Sequence, residues 1–368
     1  GGTGGHLFPA YALAEELQRR GWRVELATDD RGDRYGTGFP AEEVHYISSA
    51  TLRGRSPVAI ARTVFSLANG IRQAYGLLAR IRPAAVVGFG GYPSFPPLVA
   101  AKLRGLPTAL HEQNAVLGRA NRMLVGRVTA IATSFDRVQF LHGKAASKVR
   151  LTGNPVRNVV VEQASTPYPH PPVFGSVDRF RLLVFGGSQG ARFFSERVPS
   201  ALSQLDEGTR SRLSIVQQCR EEDLDTVREV YKSAGIHAEC ATFFQDLPRR
   251  MAESHLILGR AGASSIAELT VIGRPSILVP LPNSLDNDQL HNATGLAEAG
   301  GAICIAQEDL DAERLRSDMV KLMSEPAILV RAAADAKLMG RPDAVDRLAD
   351  LVDELADAGA SFDNSPRH

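Results

Sequence analysis

Four stretches of this chain carry residues whose types and spacing can do chemistry. The first is Gly1-Gly2-Thr3-Gly4-Gly5-His6, a glycine-rich turn that runs straight into an amphipathic stretch from Pro9 to Arg20. Glycine admits positive φ and close backbone approach, and the first amides of a following helix lack internal partners, so such a turn suits a phosphate or a sugar. His6 ends the turn. A helix N-terminus lowers a histidine's pKa and keeps it neutral, which makes His6 a candidate general base, with helix capping or simple hydrogen bonding to an acceptor as the alternative. The second stretch, Gly186-Gly187-Ser188-Gln189-Gly190-Ala191-Arg192, is another glycine turn opening another helix. The third, Gly259-Arg260-Ala261-Gly262-Ala263-Ser264-Ser265-Ile266-Ala267-Glu268, follows an apolar strand pattern. Its small residues let a nucleotide lie against the backbone, its free amides suit a diphosphate, and Glu268 can accept both hydroxyls of a ribose; a first-turn Glu also simply favours the helix dipole. The fourth, Asp286-Asn287-Asp288-Gln289-Leu290-His291-Asn292-Ala293, spaces Gln289 and Asn292 at i, i+3 on one helix face. Neutral amides there suit sugar hydroxyls, with capping or surface roles as the plain alternative.

These stretches need a scaffold, and the pattern supplies one. Short apolar runs at 23–27, 84–89, 107–110 and 128–132 alternate with helical patterns, the cadence of βα units around a parallel sheet. A Pro-rich passage, Ser165 to Pro172, interrupts and reads as an exposed connection near a domain boundary. The plan then restarts, with strand patterns at 180–185, 214–217, 255–258 and 276–279. The fold expected is α/β, two similar Rossmann-like halves of residues 1–157 and 158–340, each with a phosphate-type turn after its first strand. The turn at Gly1 has no strand before it, so the first half is expected to lack its first strand and the authentic N-terminus is expected to lie upstream. Neither turn is a Walker A loop, because no Gly-Lys-Ser/Thr follows, and neither closely matches the dinucleotide fingerprint, although Asp29 and Asp30 keep that option open.

Composition narrows the class. At 368 residues and 44% hydrophobic the chain is globular and long enough for two cores. Cys219, Cys240 and Cys304 stand apart, which fits a reducing, cytoplasmic compartment better than a disulfide framework or a zinc site. The net charge of +1 conceals an asymmetry: residues 1–157 hold 21 Lys/Arg against 10 Asp/Glu, and the remainder is acidic. From Val44 to Phe135 the only acid is Glu112, against eleven basic residues. Such a half marks an anionic partner. Nucleic acid is disfavoured because the aromatic residues do not interleave with the arginines, and an anionic bilayer surface or a pyrophosphate lipid fits better. The longest uncharged run, Pro83 to Ala101, is broken by Pro and Gly and cannot span a membrane as one helix. Val58, Ala61, Val64, Phe65, Ala68, Ile71, Tyr75 and Leu78 have helical spacing, with Arg62, Arg72 and Arg80 around them. A core-facing helix is the expectation there, ahead of a membrane-surface helix.

The ordered motifs GGTGGHLFPA, GFGGYPS (88–94), HEQNAVLGRANR (111–122), TGNPVR (152–157), FGGSQGAR (185–192), GRAGASSIAE and DNDQLHNA, from Gly1 to about Asp350, carry a resemblance. The chain resembles the MurG family, UDP-N-acetylglucosamine transferases that add the second sugar to undecaprenyl-pyrophosphoryl-N-acetylmuramyl-pentapeptide (lipid I) in peptidoglycan synthesis. The resemblance implies a GT-B fold, two Rossmann-like domains facing across a cleft, with a C-terminal helix at about 341–358 packing back on the first domain. It implies UDP-N-acetylglucosamine held by Ser188 and its neighbouring amides at the phosphates, by the Phe244 backbone at uracil, by Glu268 at the ribose, and by Gln289 and Asn292 at the sugar. Thr3, Gly4, Gly5, Asn114 and Arg157 would complete the donor site from the first domain. Gly90, Gly91 and Tyr92, with the first turn, would take the acceptor pyrophosphate. Two departures stand out: Ala261 and Ser264-Ser265 where relatives often carry Ser and Leu-Thr, and Phe244 for a commoner aliphatic residue.

The implied reaction is inverting transfer of N-acetylglucosamine to the C4 hydroxyl of the N-acetylmuramyl sugar, giving lipid II for cell-wall growth. It needs stabilisation of the departing UDP and a base for the attacking hydroxyl. Helix N-termini and Arg157 can supply the first without a D-x-D metal pair, so no obligatory metal and no cofactor are expected. His6 is the expected base, with Glu112 the runner-up and His111 behind it. Docking at the cytoplasmic face of the inner membrane as a peripheral protein would match the basic half, with Arg53, Arg55, Arg62 and Arg72 and an apolar patch within 52–78 against the lipid. A GT-B transferase with another acceptor, a UDP-N-acetylglucosamine epimerase and a non-catalytic sugar-nucleotide-binding subunit remain as alternatives.

Overall fold

The computed structural model describes residues 4–29, 38–49, 56–173 and 178–363. The chain divides into two compact units, Gly1–Arg157 with Pro342–His368, and Asn158–Arg341. In chain order the first unit contains α1 (Gly4–Arg19), β1 (Glu25–Thr28), β2 (Glu43–Tyr46), α2 (Pro57–Ile81), β3 (Val86–Gly88), α3 (Phe95–Leu103), β4 (Thr108–Glu112), α4 (Arg119–Leu124), β5 (Ala130–Thr133) and β6 (Val149–Leu151). The second contains α5 (Asn158–Gln163), β7 (Phe180–Phe185), α6 (Gly187–Leu202), α7 (Glu207–Ser211), β8 (Leu213–Gln218), α8 (Leu224–Ser233), β9 (His237–Ala241), α9 (Leu247–Glu253) and β10 (Leu256–Gly259). It continues through α10 (Ala263–Ile272), β11 (Ser276–Leu278), α11 (Asp288–Glu298), β12 (Ala302–Cys304), α12 (Ala312–Ser324) and α13 (Pro326–Leu338). The last helix, α14 (Ala344–Asp363), returns to the first unit.

In the first unit β3-β4-β5-β6 form one parallel sheet and β1-β2 another. Among the described residues the two are not hydrogen-bonded to each other. An apolar cavity of about 470 Å³ lies beside β1 and β3, lined by Leu13, Leu26, Leu78, Val86 and Leu98 among others. Helix α14 closes the far side, its Leu348, Leu351, Val352 and Leu355 packed with Ala10, Leu13 and Leu17 of α1. The rim of that contact is ionic: the Arg20 guanidinium bridges Glu16, Asp350 and Asp353 at 2.7 Å each, and Trp22 Nε1 donates to Asp353 at 2.7 Å.

Helix α2 corrects the expectation of a core-facing stripe. Ser56 caps it by accepting the Ala59 N–H at 3.2 Å, with Pro57 in the first turn. Its buried face is small: Thr63, Gly70, Ala74 and Leu78. A Cβ at Gly70 would sit 2.0 Å from the Ser48 carbonyl and 3.1 Å from Pro96 Cγ, so only glycine permits the approach of α2 to its neighbours. The large apolar residues therefore point outward, Val58 at 69%, Val64 at 59% and Phe65 at 77% exposure. The sequence pattern held two stripes, and the smaller residues won the core because close packing needs their size. Arg53 and Arg55 lie outside the described residues; Arg62 and Arg72 are exposed beside the stripe.

The second unit has one parallel sheet in the order β12-β11-β10-β7-β8-β9. The chain leaves β7 toward β8 and β9, then returns to β10 on β7's other side. The loops after β7 and β10 therefore diverge at a switch point, where open α/β sheets bind ligands. Strand β7 is buried except at Arg181, as expected for a parallel strand covered on both faces. The Pro-rich passage is not a loose connection. Arg274 Nη2 donates to the carbonyls of Thr166 and Pro167 at 3.3 and 3.1 Å, and the Tyr168 hydroxyl donates to the His255 carbonyl at 2.7 Å. The division between units falls before it, at Arg157.

Candidate active site

In the first unit the polar residues gather at the carboxyl ends of β3 and β4. Gly4 and Gly5 already belong to the first turn of α1, so positive φ is needed not there but at Gly90 (φ 84) and Gly91 (φ 71), in the turn after β3. The two segments meet at His6. A Cβ on Gly90 would lie 3.2 Å from Asn121 Nδ2 and 3.4 Å from His6 Cε1, and one on Gly91 would lie 3.6 Å from His6 Nε2. Ser94 braces this turn by donating its hydroxyl to the Gly90 carbonyl at 2.7 Å. Tyr92 follows, half-buried.

His6 Nδ1 lies 3.0 Å from Gln113 Oε1. Gln113 Nε2 in turn lies 2.9 Å from His111 Nδ1 and 3.1 Å from the Phe89 carbonyl, and His111 Nε2 lies 2.9 Å from the Gly153 carbonyl. Burial lowers the pKa of both His6 and His111 from 6.5 to about 4, so both rings are neutral at pH 7. The cause at His6 is desolvation before anything else, which refines the expectation of a helix-terminus effect. His111 is completely buried and cannot reach a substrate directly.

Glu112 is 1% exposed. Its carboxylate accepts the Asn114 N–H at 3.0 Å, the Gly118 N–H at 2.8 Å and Asn121 Nδ2 at 2.7 Å. Burial raises its pKa while those donors oppose the rise. A carboxylate so enclosed holds the 113–121 loop in place. Asn114 is half-buried in that loop, and Arg157 lies with its guanidinium carbon 5.7 Å from the Phe8 ring centre on α1. Thr3 lies outside the described residues.

The second unit gathers its residues at the switch point. Ser188 is in the first turn of α6, where the first amides of a helix lack partners within it; its side chain lies outside the described residues. Gly262 caps α10, which puts Glu268 in the second turn, so the helix-dipole alternative for it falls away. Gln289 and Asn292 both hold Ala261. Gln289 Oε1 accepts the N–H groups of Ala261 and Leu281 at 3.3 and 3.0 Å, and Asn292 Nδ2 donates to the Ala261 carbonyl at 3.1 Å. Asn292 is 0% exposed, so it shapes the loop from behind, whereas Gln289 is half-buried. Phe244 is 8% exposed, its ring under the Arg250 guanidinium at 4.5 Å.

Three residues that sequence reasoning did not assign stand out. Gln113 sits inside the quoted HEQN string, yet nothing in the string says that it touches His6, 107 positions away. Asn121 Oδ1 is buried without a partner among the described residues. Arg260, 6% exposed, donates to the carbonyls of Val279 and Pro280 at 3.1 and 3.3 Å and to Gln307 at 2.6 Å, and lies over the Phe193 and Phe194 rings. Elsewhere, Glu25, Glu43 and His45 bring three possible metal-ligand atoms together, with His45 Nε2 2.7 Å from Glu25 Oε2 as a hydrogen-bonded pair.

Residues 1–133 match the glycosyltransferase family 28 N-terminal domain and residues 181–348 the family's C-terminal domain. A UDP-N-acetylglucosamine--N-acetylmuramyl-(pentapeptide) pyrophosphoryl-undecaprenol N-acetylglucosamine transferase of Brucella abortus (strain S19) is 52% identical over 97% of this chain and 93% of its own length. One of the same name from Chelativorans sp. (strain BNC1) is 53% identical over 97% of this chain and 94% of its own. Among solved structures, Acinetobacter baumannii MurG superposes with a TM-score of 0.78 at 28% identity, over 96% of this chain and 97% of that one. A likeness this close along nearly the whole length, carried by both domains of one family, makes the chain a member of glycosyltransferase family 28 and, within it, of the MurG family.

Proposed function

We propose that this protein transfers N-acetylglucosamine from UDP-N-acetylglucosamine to the C4 hydroxyl of the N-acetylmuramyl sugar of lipid I, with inversion, giving lipid II. The observation that carries the reading is 52% identity over 97% of the chain to transferases named for this donor and acceptor. The sites are compatible with it. His6 is a neutral imidazole beside a glycine turn that sets no side chain against its Nε2, and it takes the proton from the attacking hydroxyl. Glu112, enclosed by three donors, is the weaker choice. The amides opening α6 and α10 hold the UDP diphosphate and stabilise charge as it leaves, with Arg157 as a further cation. The Phe244 main chain reads uracil. Glu268 takes the ribose hydroxyls, Gln289 Nε2 a hydroxyl of the transferred sugar, and Asn114, Gly4 and Gly5 share in holding the donor. Gly90, Gly91 and Tyr92 receive the acceptor.

The lipid acceptor requires approach to a membrane, and no helix among the described residues is long and apolar enough to cross one. The exposed Val58, Val64 and Phe65 with Arg62 and Arg72 on α2 form the peripheral contact, at the cytoplasmic face of an anionic bilayer. The deciding experiment incubates UDP-N-acetylglucosamine with and without a lipid I analogue. Acceptor-dependent UDP release with a β-linked product is expected. Acceptor-independent epimer formation, or binding with no turnover, refutes the proposal.

A further inference from the structure

The polar atoms that Gln113 contacts order its own hydrogens and, through it, place one on His6 Nδ1. The Gly153 carbonyl can only accept, so His111 Nε2, 2.9 Å away, carries a hydrogen. His111 is neutral, so its Nδ1 is a bare acceptor. The nearest donor is the terminal nitrogen of Gln113 at 2.9 Å, and that nitrogen also lies 3.1 and 3.2 Å from the Phe89 and His111 carbonyls. Three acceptors surround one end of the carboxamide, so that end is the NH₂. The other end is therefore the carbonyl oxygen. It lies 3.0 Å from His6 Nδ1, which must carry the hydrogen between them. Gln113 is 1% exposed, and turning its amide over would set the carbonyl oxygen against those three acceptors.

We propose that Gln113 is a positioning residue that locks His6 as the Nδ1–H tautomer, leaving the Nε2 lone pair directed at the Gly90–Gly91 turn. This rests on the reading of His6 as the base. The lock starts at a main-chain carbonyl in the Gly153 segment after β6 and passes through His111 and Gln113 to a helix on the other side of the turn. It gives His111 a task despite its complete burial: as a fixed acceptor it prevents the Gln113 amide from flipping. His6 Nε2 lies beside Gly91, where a Cβ would stand 3.6 Å from it, so glycine keeps a side chain off that nitrogen. In the opposite tautomer Nε2 would carry a hydrogen and could not accept the hydroxyl proton. The task resembles that of groups that orient a metal-binding imidazole, whose loss costs roughly 10–100-fold in affinity or activity.

The test uses the ¹⁵N shifts of histidine rings in the full chain, with Gln113→Met as the uncharged, similarly sized variant and His6→Gln to mark the His6 signals. In the unsubstituted protein near neutral pH the His6 Nε2 is expected to be bare and Nδ1 protonated; a protonated Nε2 overturns the proposal without any variant being made. In Gln113→Met the His6 signals are expected to shift toward a mixture of tautomers. kcat should fall roughly 10–100-fold, with KM for both substrates within about twofold. An unchanged tautomer and kcat in that variant overturn it. If His6→Gln retains the original kcat, the reading of His6 as base fails instead, and the ring shifts still report separately on the lock.

Discussion

Acidification is expected to weaken the second unit through a histidine that has no part in the proposed chemistry. His255 is 2% exposed, its ring packs against Phe180 with centroids 5.4 Å apart, and its Nδ1 accepts the Arg181 N–H at 2.8 Å. Burial, reinforced by the Arg181 charge, lowers its pKa from 6.5 to about 4. Between those values the unfolded chain binds a proton that the folded chain refuses. Stability is therefore full above about pH 6.5, declines as pH falls toward about 4, and levels off below. The linkage is worth roughly 2 kcal/mol at about pH 5 and roughly 3 kcal/mol at its limit. Urea-dependent hydrogen exchange at the amides of β7 and β10, corrected for its intrinsic pH dependence, reads this locally. Wild type should lose roughly 2 kcal/mol more than His255→Gln between about pH 7.5 and about pH 5, because the carboxamide can accept the same N–H and does not titrate. Equal losses in the two proteins would refute the assignment of this acid sensitivity to His255.

Three further outcomes are expected. Asn292→Ala leaves the Ala261 carbonyl unpaired in a fully buried place, so it should cost about 1–3 kcal/mol in unfolding and raise donor KM more than it lowers kcat; an unchanged melting curve and donor KM would contradict its role behind the loop. Val64→Ser with Phe65→Ser should weaken sedimentation with anionic vesicles about 10–100-fold while leaving turnover of a short, soluble acceptor analogue near normal; unaltered sedimentation would remove α2 from the membrane contact. Finally, His6 must be neutral to accept a proton, so kcat/KM should stay level through neutrality and fall as pH drops through about 4. A limb already falling near pH 6.5 would show that His6 is not desolvated as described.

The family and the two-part α/β plan were legible in the sequence because they rest on local pattern: apolar runs of strand length, glycine turns opening helices, and motifs of contiguous residues. So was the set of candidate positions, since His6, Glu268 and Gln289 stand within such motifs. Which side of a helix faces inward was not legible on α2. Its large and small stripes both have helical spacing, and only the 2.0 Å approach that a Cβ at Gly70 would make to Ser48 decides that the small one is buried. The division of labour among neighbours was also beyond the sequence. Glu112 and Asn292 have the chemistry of ligand-binding groups, but burial and their partners make them supports, and the pairing of His6 with Gln113 joins residues 107 positions apart. Sequence determined which groups the protein owns, because residue type and local turn chemistry are written along the chain. Tertiary structure decided their protonation, tautomer and exposure, because desolvation and hydrogen bonding depend on what the fold brings alongside.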